Sequence, residues 1–368
     1  MWQLPNHSSI TSLWAGADRC FGELLTRASQ LQQANLGPQA LGKAISATPS
    51  PLGDLLKGDT EFTKKVRDLL RSFSRCADLP AILAAYQRMT GGNYQPFFAG
   101  GANAYRPTAE STKRLLSTAA DFFYAEIHKS PIFQAAYGGT PDLPERYRKA
   151  WTKLRPMCPY CDISLINFPG SREIDHLLAK RYFPLLAAHG TNLVVCCKVC
   201  NQSGIKGQRR VGTIDGKTHL MPMLHPFFDD ADSVIRWQLD FDLKTLKLGF
   251  RPRATAVQKE QGKNFNDLFR LEGRYRTRLG SLQDLRHDLR GRVMTRFKDR
   301  GCTTRAQLEA LYDEEVQTAV QKRLPAAGHE EWKKLELDLL EHLAHDHRTD
   351  HLDYVQEELE TELKAKLL

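Results

Sequence analysis

Between residues 158 and 206 the chain reads CPYC at 158–161, EIDHLLAK at 173–180, TNLVV at 191–195 and CKVCNQSGIK at 197–206. Two Cys-x-x-Cys pairs, Cys158 with Cys161 and Cys197 with Cys200, thus bracket a carboxylate–histidine cluster and an asparagine. Thirty-five residues separate Cys161 from Cys197. Each pair has the spacing of a tight turn that presents two thiolates together. Four thiolates from two such turns form a closed tetrahedral site, the usual structural zinc arrangement. A metal that closes so long a loop converts binding free energy into folding free energy and pins whatever the loop contains. Cys196 precedes the pair set by Cys197 and Cys200 and is expected to face the core. Five of the eight cysteines fall within 43 residues, and this clustering reads as metal binding rather than disulfide bonding. The scattered Cys20, Cys76 and Cys302 read as ordinary buried thiols.

The chemistry-bearing residues lie inside or just beyond this loop. Phosphodiester hydrolysis needs a base to take a proton from water, a cation on the phosphate, and relief of charge on the leaving oxygen. His176 is the candidate general base, because neutral imidazole accepts a proton near pH 7. Asp175 offers a hard carboxylate oxygen suited to Mg2+ or Mn2+. Lys206, with Arg209 and Arg210 behind it, is expected to reach phosphates flanking the cut. Taken singly, each of these residues is ordinary surface or core decoration. Their combination within a paired-cysteine frame is what points to chemistry.

The motifs CPYC, EIDHLLAK, TNLVVC and CKVCNQSGIKG resemble the HNH, or ββα-metal, endonuclease family in its four-cysteine form, over roughly residues 151–212. The resemblance implies a small ββα-metal module with nuclease activity. It also implies that the carbonyl oxygen of Asn201 completes a catalytic divalent site with Asp175, and that Asn192 holds the loop and orients the His176 ring. Ala179 and Asn201 stand where many relatives carry proline and histidine.

Outward from this centre the pattern is helical. Ser12–Gln33 and Glu61–Phe73 repeat apolar residues at three- and four-residue spacing, with a Pro/Ser loop at Ala47–Gly53 between them. Thr90–Pro107 reads as an irregular loop or short hairpin. Thr108–His128 reads as one helix with Thr108 as N-cap and Glu110 in the first turn. Pro131–Pro144 reads as a linker, followed by a helix around Glu145–Leu154. Val234–Phe250 alternates apolar and polar residues on either side of a turn, a strand pair. The chain is helical again from Ala254, and Glu330–Leu368 reads as one long amphipathic helix. The expected fold is therefore mainly α with a small central ββα-metal zinc module, an α+β arrangement. Residues 1–150 form a helical region, 151–225 the nuclease module, and 226–368 a strand pair with basic and then acidic helices.

Charge is unevenly spread. The chain carries 52 Lys and Arg against 43 Asp and Glu, a net charge of +9. Residues 251–300 hold 14 cations and 6 acids, whereas 301–368 hold 8 and 16. A basic middle draws polyanions through phosphate contacts and counterion release, so DNA is the expected partner, with RNA left open. The alternative is a helix surface whose arginines pair with the acidic tail, or a tail that shields a basic surface until a target arrives. His342, His345, His347 and His351 in that tail read as a solvated helix face. With no apolar run long enough to span a bilayer and no secretory start, a cytoplasmic location is the default. Stand-alone HNH proteins with long helical flanks resemble effectors of prokaryotic defence against phage, which implies an ATPase or sensor partner for the N-terminal helices. The competing readings are a non-catalytic zinc ribbon that binds nucleic acid and an interaction subunit whose zinc is structural.

Overall fold

The computed structural model describes residues 7–91, 107, 109–166, 172–202, 204–206, 222–326, 330, 332–364 and 367. The chain divides into two compact units. One holds the described residues between 7 and 154 and between 172 and 229. The other holds 155–166 and the described residues from 230 onward. The N-terminal helices thus group with most of the segment from 151 to 225, and the C-terminal region takes in the first cysteine pair.

In the first unit, helix Ala15–Gln33 buries Ala17, Cys20, Phe21, Leu24, Leu25, Ala28 and Leu31, the stripe that its sequence spacing predicts. Helix Glu61–Ser74 begins where Thr60 accepts a hydrogen bond from the Thr63 N–H at 3.1 Å, an N-cap worth about 1 kcal/mol. It packs Val66, Leu70 and Phe73, all fully buried, against Ala15–Gln33. Trp14, fully buried, stacks on Tyr124 at 5.4 Å and meets Tyr147 edge-on. The Tyr147 hydroxyl donates to the Leu193 carbonyl at 2.6 Å. This aromatic chain ties the helices to an antiparallel strand pair, β1 (Arg172–His176) and β2 (Leu193–Cys197). Its register sets Glu173 opposite Cys196, Asp175 opposite Val194 and His176 opposite Leu193. All five β2 residues are buried, so this strand is apolar without alternation. A one-turn helix, Lys198–Asn201, follows directly.

In the second unit, β3 (Ile235–Leu239) pairs with β4 (Leu246–Phe250), with Trp237 opposite Leu248. Ile235, Trp237 and Leu239 face inward, the alternation expected of a half-buried strand. Helices Ala256–Phe269, Leu271–Arg276, Leu279–Asp299, Arg305–Arg323, Lys333–Ala344 and Arg348–Leu363 complete the unit. Among the described residues the fold is mainly helical with two small antiparallel sheets.

Three expectations need correction. Pro131–Pro144 is not a linker, because Pro131–Tyr137 is helical and the next helix starts at Leu143. Pro131 occupies the first turn, where a missing N–H breaks no helical bond, and Phe133 and Tyr137 pin the helix by burial. The tail is two helices, with a break at His345–His347 where the backbone leaves the helical region. Asp346 in that break pairs with Arg236 of β3 at 2.5 Å and with His342 at 3.1 Å. The helix expected over 108–128 runs from Glu110 to Asp121, then widens into a π-helical turn over Phe122–Glu126 and closes with a 3-10 turn at Ile127–Lys129. Its N-cap is Ala109 without a side-chain bond, and Thr108 lies outside the described residues. Most of the expected loop at Thr90–Pro107 also lies outside them.

Candidate metal centre

The first cysteine pair sits in a tight turn. The Cys158 N–H donates to the Ile163 carbonyl at 2.8 Å, and the Asp162 N–H to the Cys158 carbonyl at 2.9 Å. Asp162 adopts a positive φ of 61°, a conformation that aspartate tolerates better than bulkier residues. Tyr160, inside the turn, is fully buried and stacks on Phe269 at 4.1 Å, so helix Ala256–Phe269 supports the turn from below. In the second pair, Cys197 caps helix Lys198–Asn201, and its sulfur accepts the Cys200 N–H at 3.5 Å.

The sulfurs of Cys158, Cys161, Cys197 and Cys200 all lie within 4.8 Å of one another, and all four side chains are buried. Four soft donors so close together, shut off from water, fit a tetrahedral zinc ion, and zinc would stabilise the fold here without taking part in redox chemistry. Among the described residues they are the one set of three or more His, Cys, Asp or Glu side chains that converges. Cys196 is also buried but stands outside the set. Of the scattered cysteines Cys20 is buried, while Cys76 and Cys302 are partly exposed. Four thiolates exceed the charge of one zinc ion by two, and Arg155, 4% exposed, supplies a buried positive charge close to Cys158 and Asp162. Its Nε and Nη2 have no hydrogen-bond partner among the described residues. The sequence reading did not single out Arg155, because nothing in its spacing distinguishes it from a surface arginine.

His176 ends β1. Its Nε2 lies 3.0 Å from the Ala187 carbonyl oxygen. A carbonyl only accepts, so Nε2 carries the proton in the neutral ring and Nδ1 keeps the lone pair. The ring meets Tyr124 edge-on at 4.5 Å. Burial lowers the His176 pKa to about 4, against the opposing pull of Asp175, so the imidazole is neutral at pH 7. Burial also raises the Tyr124 phenol to about 12. Lys180 pairs with Asp121 and lies over the Tyr124 ring, which braces the loop after β1.

The remaining predicted site residues are committed elsewhere. Asn192, fully buried, accepts the Leu178 N–H at 2.8 Å and donates to the Leu178 and Leu186 carbonyls at 3.1 and 3.2 Å. It ties Leu178 and Leu186 of the loop after β1 together, whereas the hydrogen bond that orients the His176 ring is made with the Ala187 carbonyl. Asn201 donates through Nδ2 to Glu173 Oε2 at 2.6 Å, a partner the sequence reading missed. Lys206 is 0% exposed. Its ammonium donates to Asp175 Oδ1 at 2.5 Å and to the His176 carbonyl at 2.7 Å, and its N–H bonds the Cys200 carbonyl at 3.2 Å. A side chain so enclosed does not reach a phosphate, which corrects the expectation for Lys206. Arg209 and Arg210 lie outside the described residues. Asp175 Oδ1 is bonded to an ammonium and Asn201 Nδ2 to a carboxylate, and among the described residues no set of three or more His, Cys, Asp or Glu side chains converges around either.

His189 and His225 serve the framework. His189 Nδ1 meets the Thr191 hydroxyl at 2.8 Å, and His225 accepts the Phe227 N–H at Nδ1 and bonds the Thr191 carbonyl at Nε2.

In the second unit several cations of the basic stretch are paired with acidic side chains, while many of its lysines and arginines stay at the surface. Arg251 pairs with Asp338 at 3.1 Å and with Glu341. Arg292 and Arg296 share Glu315, Arg296 and Arg300 share Glu314, and Arg290 and Lys298 reach Glu358 and Glu362. No helix among the described residues is long and apolar enough to cross a membrane.

Comparison with protein-family models, with curated proteins and with solved structures finds no match to this chain. Fold and site therefore define a class by themselves: a mainly helical protein with a buried four-cysteine group fit for zinc.

Proposed function

We propose that residues 158–206 form a hydrolytic site of the HNH type, in which zinc-held turns carry His176 as the general base for phosphodiester cleavage in DNA. In this reading β1, β2 and helix Lys198–Asn201 are the ββα element. The observation that carries it is His176 Nε2 held 3.0 Å from the Ala187 carbonyl oxygen, which commits the Nε2 proton and makes Nδ1 the nitrogen able to take a proton from water. Asp175 Oδ1 is bonded to Lys206 and Asn201 Nδ2 to Glu173, so this reading assigns the proton transfer to His176 and routes no step through a divalent ion.

The test is nicking of supercoiled plasmid by the zinc-loaded chain, with and without Mg2+ or Mn2+. General-base catalysis contributes about 10²–10⁴-fold, so His176→Ala is expected to lose activity in that range. Full activity in the variant rejects His176 as the base. A second reading, a zinc-stabilised module without catalysis, is favoured by the internal partners of Asp175 and Asn201. Wild-type protein inert on every DNA and RNA substrate, yet retaining one zinc per chain, is the result that reading expects. A part in defence against phage, and an ATPase or sensor partner, are proposals that rest on architecture alone.

A further inference from the structure

Two carboxylates, Glu173 and Asp175, lie two residues apart on β1 and so point to the same face of the strand. Each is met by a nitrogen from the segment after β2: Asn201 Nδ2 on Glu173 and Lys206 Nζ on Asp175. The lysine is the more enclosed group. Its side chain is 0% exposed and that of Asp175 4%, and a second ammonium hydrogen is taken by the His176 carbonyl. Its backbone is tied to Cys200 of the second cysteine pair, so the lysine arrives at Asp175 from the segment that carries that pair. A buried carboxylate needs a compensating positive charge, and here the chain provides one of its own.

We infer that Lys206 is the resident cation of the Asp175 site and a tethered competitor of divalent ions, so that a metal ion and the Lys206 ammonium exclude each other at this carboxylate. The inference rests on reading 173–206 as one site. It concerns ion binding, so it stands or falls apart from whether the chain cuts DNA. An ammonium and a small divalent cation both seek carboxylate oxygen, but the lysine is covalently supplied and loses no hydration shell on each encounter. A divalent ion must displace it and leave a charged amine to find water.

The full zinc-loaded chain is titrated with Mn2+, and binding is read by electron paramagnetic resonance. Lys206→Met is expected to bind one Mn2+ at least tenfold more tightly than wild type, and Asp175→Asn added to it is expected to remove that site. Equal or weaker Mn2+ binding in Lys206→Met overturns the inference, as does a gained site that survives Asp175→Asn. Should Lys206→Met fail to fold, wild-type protein decides through amine acylation followed by peptide mass spectrometry. Lys206 is expected to resist acylation relative to exposed lysines such as Lys57, and to become reactive only if Mn2+ binds at Asp175. Rapid acylation of Lys206 without metal overturns the proposal, and so does Mn2+ bound at Asp175 with Lys206 still protected.

Discussion

Asp175 and Lys206 form an ion pair closed off from water, and such a pair is costly to break from one side. Removing one partner leaves a charge buried without compensation, a loss of about 3–5 kcal/mol. Asp175→Ala is therefore expected to lower the unfolding free energy of its unit by several kcal/mol in urea denaturation. Lys180→Ala breaks a pair whose partners are 31% and 58% exposed, and is expected to cost about 1 kcal/mol or less. Equal losses in the two variants would contradict the enclosure of Lys206. His176 gives a pH signature of definite sign. Its folded pKa, about 4, lies below that of the unfolded chain, so the unfolded state binds the proton first on acidification. Stability is fully present above about pH 6.5 and declines as the pH falls towards 4. His351, buried in the second unit and also lowered to about 4, adds to the same slope there. The melting temperature followed from pH 7 to pH 4 is expected to fall, with a shallower slope in His176→Gln. A flat profile shared by wild type and variant would argue against a ring held neutral by the fold.

Among the elements, the two cysteine turns bring together four buried thiols fit to hold zinc, while the flanking helices are held by apolar packing. Substituting one thiolate removes a quarter of the donor set and leaves three buried thiols. Cys161→Ser and Cys200→Ser are each expected to reduce zinc from one per chain to well below one, measured by elemental analysis. Chelation of wild-type protein is expected to lower its melting temperature, since metal binding here is folding free energy. Zinc retained at full stoichiometry in both variants would remove the four-cysteine centre. Tyr160 shows how the first turn is seated: its ring stacks on Phe269 and lies 6.2 Å from Phe265. Tyr160→Ala opens a cavity in that contact and is expected to cost about 3 kcal/mol or more. The turn and strand signals behind these elements were legible because they are local. Cys-x-x-Cys spacing, the alternation in Val234–Phe250 and the apolar stripe of Ala15–Gln33 all concern residues within a few positions of each other. The helix at Pro131–Tyr137 was missed because proline and glycine read as breakers, whereas here they mark its start and, at Gly138, its end.

At the scale of the whole molecule, the acidic tail is a structural part of its unit rather than a detachable screen. Leu335, Leu339, Leu340, Leu343, Leu352, Val355 and Leu359 are all buried, and the Tyr312 hydroxyl bonds the Leu343 carbonyl at 3.0 Å. Deleting residues 326–368 is expected to abolish cooperative unfolding of this unit, seen by circular dichroism, instead of exposing an intact basic surface. A truncated chain that keeps its helicity and binds DNA more tightly would restore the shielding idea. The paired arginines also bear on partners. Cations already committed to Glu314, Glu315, Glu341 and Glu358 must break those pairs before meeting phosphates, so net charge overstates the basic surface on offer.

The amino-acid sequence by itself marked most of the helices, the strand pair at Val234–Phe250 and the four thiols that belong together, because periodicity and turn spacing act between near neighbours. It also marked Asp175, His176 and Asn201 as chemically notable. Only the tertiary structure decided their partners: Lys206 for Asp175 across 31 residues, Glu173 for Asn201 across 28, and Ala187 for His176 across 11. The reason is physical. A buried charge or ring nitrogen takes whichever complementary group the folded chain brings within about 3 Å, and no spacing rule records that distance before the chain has closed on itself.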